Sequence, residues 1–230
     1  MRKIVISLGG SVIVPEHVDY KFLENFTKLI KKFKKDKIVI VTGGGHTARD
    51  YIDAVRKEKL GEDIYSWVGI ATTKLNARLL SSFFGKIQKV PDSLEEVKNA
   101  VKKSNLVICG ALGFQPGMTS DANAAEIAVL IKADFFVNIT NVKGLYDKDP
   151  NKFKNAKFIS KISFDDFYDL AKKIKFEAGQ HFVLDQVASK IIKEKKIKTY
   201  IMGRILKNIE KLLKEKKFIG TIINKVFPYH

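Results

Sequence analysis

Apolar residues recur along this chain in two alternating rhythms. Short β-branched runs, "KIVISL" (3–8), "KIVIVT" (37–42), "NLVIC" (105–109), "DFFVNIT" (134–140) and "KTYIM" (198–202), read as buried strands. Between them lie amphipathic stretches. In "YKFLENFTKLIKKFKK" (20–35), Phe22, Leu23, Phe26, Leu29, Ile30 and Phe33 fall at helical spacing. Further helices are expected at 47–57, about 64–84, 93–103, 121–132 and about 182–194, with "DSLEEVKNAV" carrying an N-cap signal. "ISFDDFYDLAKKI", a lysine-rich helix and a final strand "GTIIN" complete the chain. This βαβα order predicts an α/β fold: a three-layer αβα sandwich around a mainly parallel sheet. No internal repeat or low-complexity linker interrupts it. One domain over 1–230 is expected, with the Asn-, Asp-, Lys- and Pro-rich stretch near 141–158 as the division between two loose lobes, about 1–140 and about 141–230.

Composition narrows the class. The 230 residues, 45% hydrophobic, suffice for one sizeable α/β domain. A single cysteine, Cys109, lies in the apolar run "NLVICGAL"; it excludes an internal disulfide and reads as a buried structural thiol in a reducing compartment. The basic, apolar opening "MRKIVISLGGSVIV" lacks a small-residue cleavage site and is broken by Gly9-Gly10, so it is not read as a signal peptide. No apolar run reaches membrane-spanning length, and the expected location is the cytoplasm.

The formal charge is +17. Only five of the 42 basic residues are arginine, and the lysines are spread along the chain among acids, which argues against a dedicated nucleic-acid reader. Attraction of anionic metabolites needs no further assumption.

Three strands run into glycine: Gly9-Gly10-Ser11, Gly43-Gly44-Gly45, and Gly110 with Gly113. In an open parallel sheet ligands bind beyond the carboxyl ends of the strands, where glycine lets backbone N–H groups and helix N-termini meet phosphate oxygens. Three such turns, one leading into Thr119-Ser120-Asp121, point to several phosphates. A Walker A loop is absent. Gly43 to Ala48 fits G-x-G-x-x-A, but Asp63, at the distance of a ribose-binding acid, is not at the end of a buried strand, which disfavours a dinucleotide oxidoreductase. The histidines, His17, His46, His181 and His230, show no zinc spacing, and no resident metal site is expected.

"VISLGGS", "VTGGGHTARDYI", "VGIATTKLNARLL", "GFQPGMTSDANAAEIA", "TNVKGLYDKDP", "VLDQVASKII" and "GTII" follow one another in the order seen in archaeal-type UMP kinases. The chain resembles that branch of the amino-acid kinase superfamily over essentially its whole length. The resemblance implies transfer of the ATP γ-phosphoryl group to UMP in pyrimidine nucleotide biosynthesis, with Mg²⁺ supplied with ATP and a homohexamer built from dimers. By position it implies ATP contacts at Gly9, Gly10, Gly45, Arg49, Thr140, Asn141, Tyr146 and Asp149. It implies UMP contacts at Gly44, Ser66, Phe114, Gln115, Pro116, Gly117, Met118, Thr119 and Ser120. Catalytic roles fall to Arg49, Asp121 and Asp185. On physical grounds alone, Asp121 could equally be a carboxylate that merely caps a helix start. Lys190 reads as a solvated charge, and His46 as a loop histidine.

The match departs from the family at Ser7, where many relatives carry lysine; at Ser66, where they carry aspartate; and at Lys74 and Lys143, usually arginine and an acid. These leave open a sibling kinase acting on another small acceptor (carbamate, N-acetylglutamate or isopentenyl phosphate), or a regulatory subunit that binds nucleotide without turnover.

Overall fold

The computed structural model describes residues 1–85, 89–114, 118–173 and 183–225. In chain order the elements are β1 (Lys3–Leu8), α1 (Gly10–Ile13), α2 (Tyr20–Lys31), β2 (Lys37–Thr42), α3 (Gly45–Arg56), α4 (Glu62–Phe83), α5 (Leu94–Lys103), β3 (Leu106–Cys109), α6 (Ser120–Leu130), β4 (Phe135–Thr140), β5 (Leu145–Tyr146), β6 (Phe158–Ile159), β7 (Lys161–Ser163), α7 (Phe164–Lys173), α8 (Gln186–Lys195), β8 (Thr199–Gly203), α9 (Leu206–Leu213) and β9 (Thr221–Asn224).

Seven strands form one sheet in the order β3-β2-β1-β4-β8-β9-β7, and β5 pairs with β6 in a small separate ribbon. Every pairing in the large sheet is parallel except β8 with β9. The central strands β1, β2 and β4 are buried at nearly every position, as expected for a sheet covered by helices on both faces. That is why they read as continuous apolar runs rather than alternating ones. Register is direct: Ile4, Val5 and Ile6 lie beside Ile38, Val39 and Ile40 on one side and beside Phe135, Phe136 and Val137 on the other. Cys109 is buried in β3, and burial pushes its thiol up to about 12, which makes it unreactive at neutral pH.

The expected α/β sandwich is present, with differences of detail. The helix expected over 20–35 ends at Lys31, because Lys32 to Lys35 form a turn into β2. Ser93 caps α5 as its pattern indicated, accepting the Glu96 N–H at 3.1 Å. "ISFDDFYDLAKKI" divides into a short edge strand and α7, with Ser163 accepting the Asp166 N–H at 3.0 Å at the junction. α1 and the β5–β6 ribbon are too short for periodicity to reveal. Asp63 lies in the first turn of α4, not after a strand, in agreement with the rejection of a dinucleotide fingerprint.

Candidate active site

The parallel strands β1, β2, β3, β4 and β8 deliver their carboxyl ends to one edge of the sheet, and every glycine-rich turn lies there. The first two turns are pressed together. A Cβ added at Gly10 would sit 1.9 Å from the Gly45 nitrogen, and one added at Gly45 would sit 2.4 Å from the Gly10 oxygen. Gly45 also holds φ +70°, a conformation that L side chains avoid. These residues let two backbones touch, while the N–H groups of Gly9 and Gly43 are taken by the carbonyls of Ile139 (2.9 Å) and Leu8 (3.0 Å). Behind them Asn76, only 3% exposed on α4, donates its side-chain amide to the carbonyls of Gly43 (2.7 Å) and Gly44 (3.0 Å). Asn76 was not singled out from the sequence, although a polar residue on the buried face of a helix was the available signal.

A second cluster joins two helix starts. Thr119 is the N-cap of α6, accepting the Ala122 N–H at 3.1 Å, while its own hydroxyl donates to Asp185. Asp185 is the N-cap of α8 and accepts the N–H groups of Val187 (2.7 Å) and Ala188 (2.9 Å). The N-terminal ends of α6 and α8, each carrying partial positive charge, therefore meet at one Thr–Asp contact.

Asp121 answers the question left by its sequence. It does not cap α6; Thr119 does. Its Oδ1 accepts the Ser7 hydroxyl at 2.5 Å and the Asn138 amide at 3.1 Å, from neighbouring positions on β1 and β4. Oδ2 receives no hydrogen bond from the described residues. Burial, and then the nearby charge of Asp185, push the Asp121 carboxyl up to about 7, against the partial relief from Ser7 and Asn138. The acid is thus poised near neutrality at the edge where phosphates are expected. Ser7 thus gives the site a hydroxyl donor.

Thr140, Asn141, Tyr146 and Asp149 line one cavity of about 430 Å³, with Ser11 from α1 and Val183 ahead of α8. The Tyr146 ring stands edge-on to Phe158 at 5.5 Å, which fixes its orientation. Asp149 accepts the Asn151 N–H at 2.9 Å, ordering the loop over the cavity. Phe153, in the same wall, was not anticipated.

Arg49 is exposed on α3 and makes no ion pair with the described residues. Because α3 begins at Gly45, Arg49 lies in its second turn, where the helix dipole disfavours a cation less than in the first. His46 approaches Asp50 at 3.4 Å, and Lys190 reaches Glu194 at 3.9 Å along α8. Lys74 pairs with Asp92 at 2.5 Å, and Asp92 also accepts the Gly113 N–H at 2.9 Å, which ties α4 to the start of the 113–120 loop. Phe114 is exposed and Met118 packs partly on the core; Gln115, Pro116 and Gly117 lie outside the described residues. Ser66 stands apart. It is exposed on α4, roughly 9 Å along the helix axis from Thr72, which abuts Gly44.

Facing glycine turns, two helix starts sharing a Thr–Asp contact, and an adjoining cavity define a phosphate-handling cleft of the amino-acid kinase type. The amino acid kinase family pattern matches residues 2–203, and the chain belongs to that family. Within it, the chain is similar to the uridylate kinase of Methanocaldococcus jannaschii, 39% identical over 228 residues, 96% of this chain and 99% of the relative. It is 34% identical over 224 residues to that of Thermoplasma acidophilum, covering 97% of each. The crystal structure of uridylate kinase from Archaeoglobus fulgidus superposes with a TM-score of 0.84 at 36% identity, covering 97% of this chain and all of that one.

Proposed function

We propose that this chain transfers the γ-phosphoryl group of ATP to UMP, giving UDP and ADP, as a step of pyrimidine nucleotide biosynthesis in the cytoplasm. The observation that carries the reading is the convergence of the Gly10/Gly45 turns with the Thr119–Asp185 contact beside the cavity of Thr140, Asn141, Tyr146 and Asp149. Phosphoryl transfer needs positioning and charge neutralisation more than covalent chemistry, and this cleft offers backbone donors, two helix N-termini and an uncommitted arginine.

In this reading the lobe of about 141–230 holds the adenosine half of ATP, and the lobe of about 1–140 holds UMP. Gly9, Gly10 and Gly45 meet the ATP phosphates. Gly44 and the 114–120 loop face UMP, with Thr119 and Ser120 beside its phosphate. Arg49 grips phosphate oxygens where the two nucleotides meet. Ser66 accepts from the UMP sugar, its short neutral side chain replacing a carboxylate. Asp121 and Asp185 orient the reacting groups. These two carboxylates suit a Mg²⁺ ion that arrives with ATP and keeps most of its waters, supplying neutralisation of the β- and γ-phosphate charge.

We further propose a homohexamer assembled from dimers. α4 supports it: Ile64, Trp67, Ala71 and Leu75 follow helical spacing, with Trp67 68% and Leu75 56% exposed, an apolar stripe left uncovered among the described residues. Light scattering that returns a monomer mass would overturn this part.

The test of activity is ADP release from ATP and Mg²⁺ with UMP, CMP, carbamate, N-acetylglutamate or isopentenyl phosphate. Turnover with UMP alone is expected. Turnover only with another acceptor would move the chain to a sibling activity, and bound ATP without turnover would make it a regulatory subunit.

A further inference from the structure

The +17 charge is not used up by the catalytic cleft, and part of it is gathered at the opposite edge of the sheet. Lys3 and Lys37 are the first residues of β1 and β2 and lie side by side in register. They sit five residues, roughly 17 Å, upstream of the catalytic ends of their strands. Lys98 and Lys102, one turn apart on α5, and Lys132, just past the end of α6, complete a groove of about 390 Å³ floored by Val101, Leu130 and Ile131. Five lysines from four parts of the fold thus line one concavity, and no carboxylate of the described residues lines it.

The surroundings do not neutralise them. Lys37 donates to the Val101 carbonyl at 2.6 Å. Lys3, Lys98, Lys102 and Lys132 make no ion pair with the described residues, although many other lysines here do, such as Lys28 with Glu24, Lys89 with Glu96 and Lys193 with Asp165. Asp134 stands beside Lys3, where its carboxylate takes the Lys3 backbone N–H at 2.7 Å. Like charges placed beside each other on adjacent strands, and one turn apart on a helix, repel. An anion in the groove would relieve that repulsion.

We infer that this groove is a binding site for a compact oligophosphate, either a free condensed phosphate or the triphosphate arm of a nucleotide, separate from the catalytic cleft. Lysine ammonium groups act as point charges suited to phosphate oxygens, and no aromatic ring or arginine fork lines the groove to read a base. The concavity favours a short, highly charged anion over an extended nucleic-acid backbone.

Lysine acetylation footprinting by mass spectrometry, on the full chain with and without inorganic tripolyphosphate, tests this. Lys98, Lys102 and Lys132 are expected to be protected, while Lys207 and Lys211, a matching lysine pair on α9, stay reactive. In calorimetry, Lys98→Gln/Lys102→Gln should weaken the tripolyphosphate site by about tenfold and lower the slope of log K against log salt by about 2. The charge-matched variant Lys207→Gln/Lys211→Gln should leave both unchanged. ATP protecting the groove as tripolyphosphate does would show that a nucleotide's phosphates suffice. Uniform protection of all exposed lysines, equal weakening by both variants, or protection by ATP or an oligonucleotide but not by tripolyphosphate would each overturn the inference. None of the variants touches the catalytic cleft, so UMP phosphorylation without phosphate donor limitation should persist in all of them.

Discussion

Gly10→Ala is the most informative single change at the catalytic edge. The new methyl would lie 1.9 Å from the Gly45 nitrogen, 2.6 Å from its Cα and 2.7 Å from the Gly44 carbonyl carbon. All three are backbone atoms, so no side chain can swing aside. Restoring ordinary contact requires one turn to retreat by roughly 1.5 Å, more than the roughly 1 Å misplacement of reacting groups that costs about 10²-fold. Overpacking of this kind destabilises by about 1–3 kcal/mol, a fall of about 2–12 °C in Tm for a chain of this length. Steady-state ADP release and a thermal melt would be read together, with Gly61→Ala as the control, since a Cβ at Gly61 meets nothing within 4 Å. The expected outcome is a large loss of kcat with a modest fall in Tm for Gly10→Ala. Wild-type kcat and Tm would refute the view that contact between the two turns holds the phosphate donors in place.

The remaining predictions concern the acids and the loops they hold. Because Asp121 has a folded-state pKa of about 7, above its ordinary value of 3.8, its contribution to stability is complete below about pH 4 and is lost as pH rises through 7. Asp121→Asn should therefore melt higher than the parent at pH 8, by roughly 4 kcal/mol of stability, and match it at pH 4, while losing phosphoryl transfer; a lower melting point at pH 8 would contradict this. Thr119→Val removes the α6 cap and the donor to Asp185, and should cost about 1–2 kcal/mol in denaturant titration together with a fall in kcat; unchanged kcat would separate the cap from catalysis. Asp92→Ala frees both Lys74 and Gly113, and the expected result is a raised KM for UMP with the KM for ATP unchanged. Trp67→Glu should shift the assembly toward smaller species in light scattering if α4 forms the dimer contact.

Much of this architecture was legible along the chain. Strands buried on both faces must be apolar throughout, and the helices that cover them must show an apolar stripe, so β1, β2, β3, β4 and β8 and the longer helices could be read from local pattern alone. The glycine turns were legible for the same reason: close backbone contact excludes every other side chain. The β5–β6 ribbon and α1 were not, because two-residue strands and a single turn of helix carry no periodicity.

The protonation state of Asp121 belongs to the tertiary structure. Its partners are Ser7, 114 residues away on β1, and Asn138 on β4, and its depth comes from packing α6 against the sheet. Thr119 and Asp185, 66 residues apart, each cap their own helix, and only the packing of α6 against α8 turns two caps into one contact. The five lysines of the basal groove are likewise scattered through a lysine-rich chain, and strand register together with the C-terminal end of α6 brings them to one place. Local sequence determines what is settled by a residue's own turn or face, such as apolar periodicity and glycine at close approach. Electrostatic environment depends on distances between residues remote in the chain, and those distances exist only once the layers are packed.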